Sequence, residues 1–275
     1  MFKVIEKEMI VPNLYLLTVQ APDIAEQIQA GQFVILRSHD DAERIPLSVA
    51  DWNREEGTLT MIFMVVGDST SKIAGLNVED FVPTVVGPLG KPTEIKKIGT
   101  VICIGGCYGI GSIFPVIRTL HEKGNKVITI LEARSNFLLY WEDKLKSYSE
   151  KVIIITRDGS SGQKGHIKRL SKILQEKAIK PDQIFVNGCT FLLSKTSREL
   201  SHYKVPIIVS LNPIMIDGTG MCGVCRVTVD GSTKFACVDG PDFDGRVVDW
   251  EELLQRRKQY LNEEVVLVHH SGCGR

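Results

Sequence analysis

The chain has no apolar run approaching the roughly 18 residues that a membrane-crossing helix needs. Its opening, Met1-Phe-Lys-Val-Ile-Glu-Lys-Glu, mixes charges where a signal peptide is uniformly apolar. Both absences predict a cytoplasmic protein with no membrane partner. Charge of either sign is not in excess: 33 Lys and Arg balance 33 Asp and Glu, which removes the electrostatic case for nucleic acid. The C-x2-C-x2-C-x3-C-P run of [4Fe-4S] sites is missing, as are internal repeats and low-complexity linkers, and the glycine turn from Gly105 to Gly111 lacks the G-x-G-x-x-G spacing of the dinucleotide fingerprint. The seven cysteines are odd in number, in a chain too large to depend on disulfide staples. That predicts a reducing compartment and metal or redox use of thiols.

What is present suits a soluble globular chain. Its 275 residues, 43% hydrophobic and 24% charged, allow a sizeable core and roughly two domains of ordinary size. Short strand-like runs at Leu14 to Gln20, Gln32 to Ser38, Leu59 to Val66 and Phe81 to Val86 are bounded by turn residues, which predicts an antiparallel barrel or sandwich. From Gly99 the rhythm changes. Strand-like Thr100 to Ile104, Lys126 to Leu131, Lys151 to Thr156, Gln183 to Val186 and Pro206 to Leu211 alternate with helix-like segments near Ser112 to Glu122, Gly165 to Lys177 and Phe191 to His202. That alternation predicts a parallel sheet with crossover helices. A third segment holds a cysteine loop amid short strands such as Arg226 to Val229, and Asp249 to Asn262 has helical spacing. The expected fold class is multidomain β plus α/β. An antiparallel β-barrel spans 1–97, a parallel-sheet α/β domain 98–211, and a small cysteine-bearing domain with a C-terminal helix and tail 212–275.

The densest chemistry is Asp217-Gly-Thr-Gly-Met-Cys222-Gly-Val-Cys225, with Cys237 following. Cysteines flanked by glycine wrap backbone around a metal centre. Asp217 stands where a plant-type C-x4-C-x2-C…C loop places its first thiolate. Spacing alone leaves structural zinc and a [2Fe-2S] cluster equally open. Candidate fourth ligands are Asp217, Cys273 and the pair His269 and His270. Asp217 is favoured by position, because cluster loops draw ligands from consecutive turns.

Upstream, Gly105-Gly-Cys-Tyr-Gly-Ile-Gly111 links a buried-looking strand to a helical pattern. It can seat a pyrophosphate on backbone N–H groups, although a ligand-free glycine turn reads the same. Arg44-Ile-Pro-Leu-Ser48 offers a phosphate-pairing guanidinium and a hydroxyl, or merely a surface arginine before a proline turn. Gly67-Asp-Ser-Thr-Ser71 heads a helix-like segment and reads first as capping; Gly87-Pro-Leu-Gly90 is a generic turn. Cys103 belongs to an apolar strand and reads as core. Cys107, Cys189 and Asp158-Gly159 fall at the carboxyl ends of expected parallel strands, where open α/β sheets bind ligands.

In this order, R-x-P-L-S, the G-x-S/T turn, G-P-L-G, G-G-x-x-G-I-G and the cysteine loop resemble the ferredoxin-NADP reductase superfamily over nearly the whole chain. Within it the chain is similar to iron–sulfur flavoprotein subunits related to the dihydroorotate dehydrogenase electron-transfer subunit. The runs Ala133-Arg-Ser-Asn-Phe-Leu-Leu-Tyr-Trp-Glu142 and Cys237-Val-Asp-Gly-Pro-Asp-Phe-Asp-Gly-Arg-Val-Val-Asp249 narrow this further. They resemble the small-subunit family of NADH-dependent ferredoxin:NADP oxidoreductase and sulfide dehydrogenase. The resemblance implies FAD in the barrel, NAD(H) or NADP(H) on the α/β domain, and a [2Fe-2S] cluster on Asp217, Cys222, Cys225 and Cys237.

It further implies that Arg44 meets the FAD pyrophosphate and that Pro46, Leu47 and Ser48 run beside the isoalloxazine, with Ser48 near N5. Gly67, Ser69 and Thr70 would hold FAD phosphates, and Gly105, Gly106, Gly109 and Gly111 would floor the dinucleotide. Glu132 could take a ribose hydroxyl or Arg134 a 2′-phosphate, and Asn187, Gly188 and Cys189 would lie near the nicotinamide. Leu47 stands where many reductases have an aromatic residue, and Asn187-Gly188-Cys189 where many have C-G-P. The implied activity is hydride exchange between NAD(P)H and FAD, then single-electron exit to a partner. The implied partner is a larger flavin and [4Fe-4S] subunit related to the glutamate synthase small subunit, with ferredoxin served through the complex. Rival readings are service to dihydroorotate dehydrogenase and, in another class, a zinc-stabilised flavin- or nucleotide-binding regulatory subunit. The substituted aspartate and the run from Cys237 to Asp249 speak against the former.

Overall fold

The computed structural model describes residues 1–259, so Cys273, His269, His270 and the expected helix end at Asn262 lie outside the described residues. Strands β1 (Phe2–Val11), β2 (Leu14–Gln20), β3 (Phe33–Arg37), β4 (Ile45–Asn53), β5 (Thr58–Met64), β6 (Phe81–Val82) and β7 (Thr84–Leu89) form an antiparallel sheet. Its order is β6-β1-β2-β5-β4-β3-β7, a nearly closed barrel whose two edges are neighbours in sequence, parted only by Pro83. Proline cannot donate to a ladder, which explains why the single strand expected over Phe81 to Val86 is broken there. Helices α1 (Pro22–Gln27) and α2 (Asp68–Ala74) cap the connections.

Period-two alternation sends the two faces of this wall to different places. Leu17, Val19, Leu47, Val49, Leu59, Met61 and Phe63 fill the barrel interior. Leu14, Leu16, Ala50 and Ile62, on the opposite face, join a core shared with Ile110, Ile113, Phe114 and Ile117 of the following unit.

That unit is built on β8 (Thr100–Gly106), β9 (Lys126–Ala133), β10 (Lys151–Thr156), β11 (Gln163–Lys164), β12 (Gln183–Asn187) and β13 (Ile207–Ser210). Their crossovers carry α3 (Gly109–Ser112), α4 (Phe114–Glu122), α5 (Glu142–Lys146), α6 (Leu170–Glu176) and α7 (Thr190–Glu199). The sheet order β11-β10-β9-β8-β12-β13 is parallel throughout, and the chain proceeds outward in opposite directions from β8 and β12. The crevice at their carboxyl ends is the position where such sheets bind ligands. β8 is buried on both faces, Val101 and Cys103 toward the barrel, Ile102 and Ile104 toward α6 and α7. Cys103 is therefore core, as its strand context suggests.

The last part contains the hairpin β14 (Arg226–Val229) and β15 (Ser232–Phe235), then β16 (Asp242–Asp244), which adds antiparallel to β13, and α8 (Trp250–Arg256). Asp249 caps α8 by accepting the amides of Glu251 and Glu252 at 3.1 and 2.9 Å. Met215, Cys225, Ala236 and Cys237 pack on Phe33 and Ile35, the outward face of β3.

Candidate functional site

The cysteine loop folds around a carboxylate. Asp217 accepts the amide of Thr219 at 2.8 Å on Oδ1 and that of Cys222 at 2.9 Å on Oδ2. These bonds, that from Thr219 foremost, hold the carboxyl below its ordinary range, so it is an anion beside Cys222. Gly218 is required here on two grounds: its φ is +74°, and a Cβ would lie 2.7 Å from Ile35 Cδ1 and 2.8 Å from Leu89 Cδ1. On the barrel side of the loop, the buried sulfurs of Cys225 and Cys237 are 3.2 Å apart, close enough to share a centre and well beyond disulfide length. Burial first, then the adjacent Cys225 sulfur, pushes the Cys237 thiol up to about 12.

The donors thus fall into two pairs, Asp217 with Cys222 and Cys225 with Cys237. Among the described residues no three Cys, His, Asp or Glu side chains converge on one point. Such a set fits a dinuclear [2Fe-2S] centre, which takes two protein ligands at each iron, better than a single tetrahedral zinc.

A cleft of about 480 Å³ joins this loop to the barrel, lined by Ile35, Arg44, Val86, Asp217, Thr219, Met221 and Cys222. Arg44 and Ser48 are exposed on this side, with Pro46 half-buried between them. Leu47 differs from the sequence expectation. Pleating turns its side chain into the barrel core, so that only its backbone can face a ring on the outside. Beside the barrel, Gly67 has extended backbone and open space where a Cβ would point, as a residue closely approached by a ligand requires. Its neighbours are already engaged. Thr70 Oγ1 accepts the amides of Val66 and Gly67 at 2.9 and 3.1 Å, a helix cap, and Ser69 Oγ donates to Glu43 at 2.9 Å. A phosphate here would meet the backbone of Gly67 and displace Glu43 from Ser69.

The crevice at the ends of β8 and β12 brings Gly105, Gly106, Gly109, Gly111, Asn187, Gly188 and Cys189 together. All four glycines of the turn are buried, and the space they leave is filled by protein. A Cβ at Gly106 would meet Leu192 Cδ2 at 2.7 Å, one at Gly111 would meet Ile62 Cδ1 at 2.6 Å, and one at Gly109 would strike the backbone of Asn187 and Gly188. The glycines are needed for close packing of helix, strand and barrel; the exposed groups above them are Cys107, at φ +55°, and Cys189. Asn187 Nδ2 donates to Ser112 Oγ at 3.3 Å. Glu132 is buried at the end of β9, where its Oε1 accepts Arg157 Nε at 3.1 Å, while Arg134 is exposed. Asp158 accepts from Ser160 in an adjoining turn; those bonds, the backbone one foremost, lower its carboxyl to about 2.

Sequence reading missed a clamp across the barrel interface. Asp51 of β4 accepts Arg118 of α4 on Oδ1 and Lys144 of α5 on Oδ2, both at 2.5 Å. Arg118 also lies 4.4 Å over the Trp52 ring and Lys144 3.9 Å over Trp141. The partners are 67 and 93 positions away from Asp51, so no local signal marks them.

A family model described as the iron-sulfur cluster binding domain of dihydroorotate dehydrogenase B matches residues 212–249. The dihydroorotate dehydrogenase B (NAD(+)), electron transfer subunit homolog of Thermotoga maritima is 42% identical over 265 residues, covering 96% of this chain and 93% of that one. The chain belongs to the dihydroorotate dehydrogenase B electron transfer subunit family. Within and around this family, the solved NADH-dependent reduced ferredoxin-NADP oxidoreductase, studied for flavin-based electron bifurcation, superposes with a TM-score of 0.92. It does so at 40% identity over 98% of this chain and 97% of that one. A ferredoxin NADP+ reductase from Neisseria gonorrhoeae, 17% identical with a TM-score of 0.58 over 74% of this chain and 90% of that one, shares the fold.

As an electron transfer subunit of this family, the chain is an oxidoreductase flavoprotein of ferredoxin-NADP reductase-like fold. Its cofactors are FAD and an iron–sulfur cluster, its substrate is a nicotinamide dinucleotide, and it works beside a larger partner subunit. Among the described residues no helix is long and apolar enough to cross a membrane.

Proposed function

We propose that this chain takes hydride from NADH and passes single electrons to a larger flavin and [4Fe-4S] subunit that serves ferredoxin, as an NADH-dependent ferredoxin:NADP oxidoreductase requires. Residues 1–97 hold FAD, 98–211 the nucleotide and 212–275 the cluster. When bound, FAD supplies the two-electron to one-electron conversion and the [2Fe-2S] cluster the outlet. The protein's part is to hold and orient.

Arg44 neutralises the flavin pyrophosphate, Ser48 presents its hydroxyl toward N5, and the Gly67 backbone with Ser69 receives phosphate oxygens. Asp217 and Cys222 ligate one iron and Cys225 and Cys237 the other. The crevice above Gly105, Gly106, Gly109 and Gly111 receives the dinucleotide, with Asn187, Gly188 and Cys189 along one wall. Glu132 and the exposed Arg134 stand at and just beyond the end of β9, where the ribose of the dinucleotide would lie. The observation that carries the reading is the shared cleft: Arg44 and Ile35 of the barrel line the same space as Asp217 and Cys222 of the loop.

Protein purified without oxygen is expected to show flavin bands with added iron–sulfur absorption, both bleaching with NADH. A colourless zinc protein would overturn the reading. For the ligands, Asp217→Ala is expected to lose iron while Cys273→Ser retains it; the reverse pattern of iron content would move the fourth ligand to the tail.

The family name favours a second reading, service to a dihydroorotate dehydrogenase. The subunit that co-purifies decides. A flavin and [4Fe-4S] partner supports the first reading, a dihydroorotate-oxidising partner the second.

A further inference from the structure

Asn212 lies two residues beyond β13, at the first position of the matched iron–sulfur segment. Its Nδ2 donates to the Tyr108 hydroxyl at 2.5 Å and to the Gly188 carbonyl at 3.0 Å. Its Oδ1 accepts the Thr190 hydroxyl at 2.8 Å and Arg257 Nη1 at 3.0 Å. An amide side chain offers two N–H groups and two lone pairs, so every position is used. The knot closes on itself. The Tyr108 hydroxyl donates to the same Gly188 carbonyl at 3.3 Å, and Arg257 Nη1 donates to Thr190 Oγ1 at 2.5 Å.

The four partners come from places far apart in sequence: the glycine turn after β8, the loop after β12, the start of α7 and the residue that caps the end of α8. They meet beside the crevice of the topological switch point. Gly188 stands at φ +148°, with its Cα side against Leu192 and the Gly106 carbonyl. Glycine adopts this positive φ without steric cost but is not confined to it, and two donors on its carbonyl fix the peptide plane leading into Cys189.

We propose that Asn212 is a positioning residue of the nucleotide site. It locks the Gly188–Cys189 wall against the glycine turn and ties both to the start of the cluster-bearing segment. The nicotinamide dinucleotide then meets a wall already in register with the electron outlet. The proposal rests on the crevice being the nucleotide site. Its physical content is preorganisation: without the knot, ordering the wall is charged against binding, which weakens affinity more than it slows hydride transfer.

The test is rapid-mixing reduction of the flavin in the cofactor-loaded chain by NADH, read as half-saturating NADH and limiting rate. Asn212→Ala is expected to raise the half-saturating concentration about tenfold while the limiting rate changes by less than about threefold. Thr190→Val, a milder variant should the first not fold, is expected to raise it about threefold, and Thr190→Ser, which keeps the hydroxyl, to restore the wild-type value. Unchanged half-saturation in Asn212→Ala or Thr190→Val would overturn the proposal. So would equal effects of valine and serine at 190, or a loss confined to the limiting rate. A wild-type chain that neither NADH nor NADPH reduces would instead overturn the nucleotide reading beneath it.

Discussion

Gly109→Ala is expected to cost about 3 kcal/mol or more of stability and to cut reduction of the flavin by NADH more than tenfold. The added methyl would stand 2.5 Å from the Gly188 Cα and closer still to the Asn187 carbonyl. Both are backbone, so nothing can swing aside, and α3 must lift off the loop that follows β12. Denaturant unfolding followed by fluorescence, with NADH titration of the surviving fold, measures both consequences. The informative comparison is Gly67→Ala. At Gly67 nothing lies within 4 Å of the new atom and φ is −170°, so stability should fall by no more than about 1 kcal/mol. Retention of flavin through gel filtration should nevertheless weaken, because that open space is where a phosphate would lie. If both alanines cost the same stability, the distinction between a packing glycine and a ligand glycine fails.

Asp51→Ala should be the second large effect, about 2 to 3 kcal/mol, seen as a thermal midpoint lowered by roughly 5 to 10 °C. Side-chain exposures of 20% for Asp51, 16% for Arg118 and 34% for Lys144 place the cluster between a buried ion pair, where losing one partner costs more, and a surface one. Removal leaves two cations facing each other against Phe114, Trp52 and Trp141 with no anion between them. Because Asp51 shares β4 with Pro46, Leu47 and Ser48, the strand loses its tie to the α/β unit, and the NADH-driven rate should fall along with stability. Arg118→Lys, which keeps a charge but not the flat stack on Trp52, should cost less than half as much. A stability change below about 0.5 kcal/mol in Asp51→Ala would show the clamp to be solvated in solution.

Period-two and β/α rhythm made most of the fold legible. Leu14–Gln20 and Lys151–Thr156 begin and end where the residue pattern places them. β1 was invisible because Lys3, Glu6, Lys7 and Glu8 decorate it, and its register to β2 is set by pairing across the sheet, with shifts at Val4/Glu6 and Met9/Val11. β4 was hidden by Pro46 near its start and by Asp51, whose polarity belongs to the clamp.

For the site, cysteine spacing singled out Asp217, Cys222, Cys225 and Cys237, and the fold places all of them in one loop system against β3. The glycine turn was ambiguous for a physical reason. A missing side chain looks the same in sequence whether a ligand or the protein itself fills its place. Asn212 and Asp51 carried no signal at all, since their partners become neighbours only when the sheets assemble.

β3 is a single strand with Val34 and Leu36 facing into the barrel, Phe33 and Ile35 facing Cys225 and Cys237, and β4 as its hydrogen-bonded neighbour. One extended segment of five residues is therefore the common backing plate of the Arg44 to Ser48 face and the Cys225 and Cys237 sulfurs. Were flavin to lie on that face and a cluster on those cysteines, tunnelling, which falls off steeply with distance, would run between adjacent hydrogen-bonded strands of one sheet rather than across a hinge. A spacing set in that way would leave turnover among relatives that keep this strand to be tuned by the driving force of their cofactors and the docking of their partners.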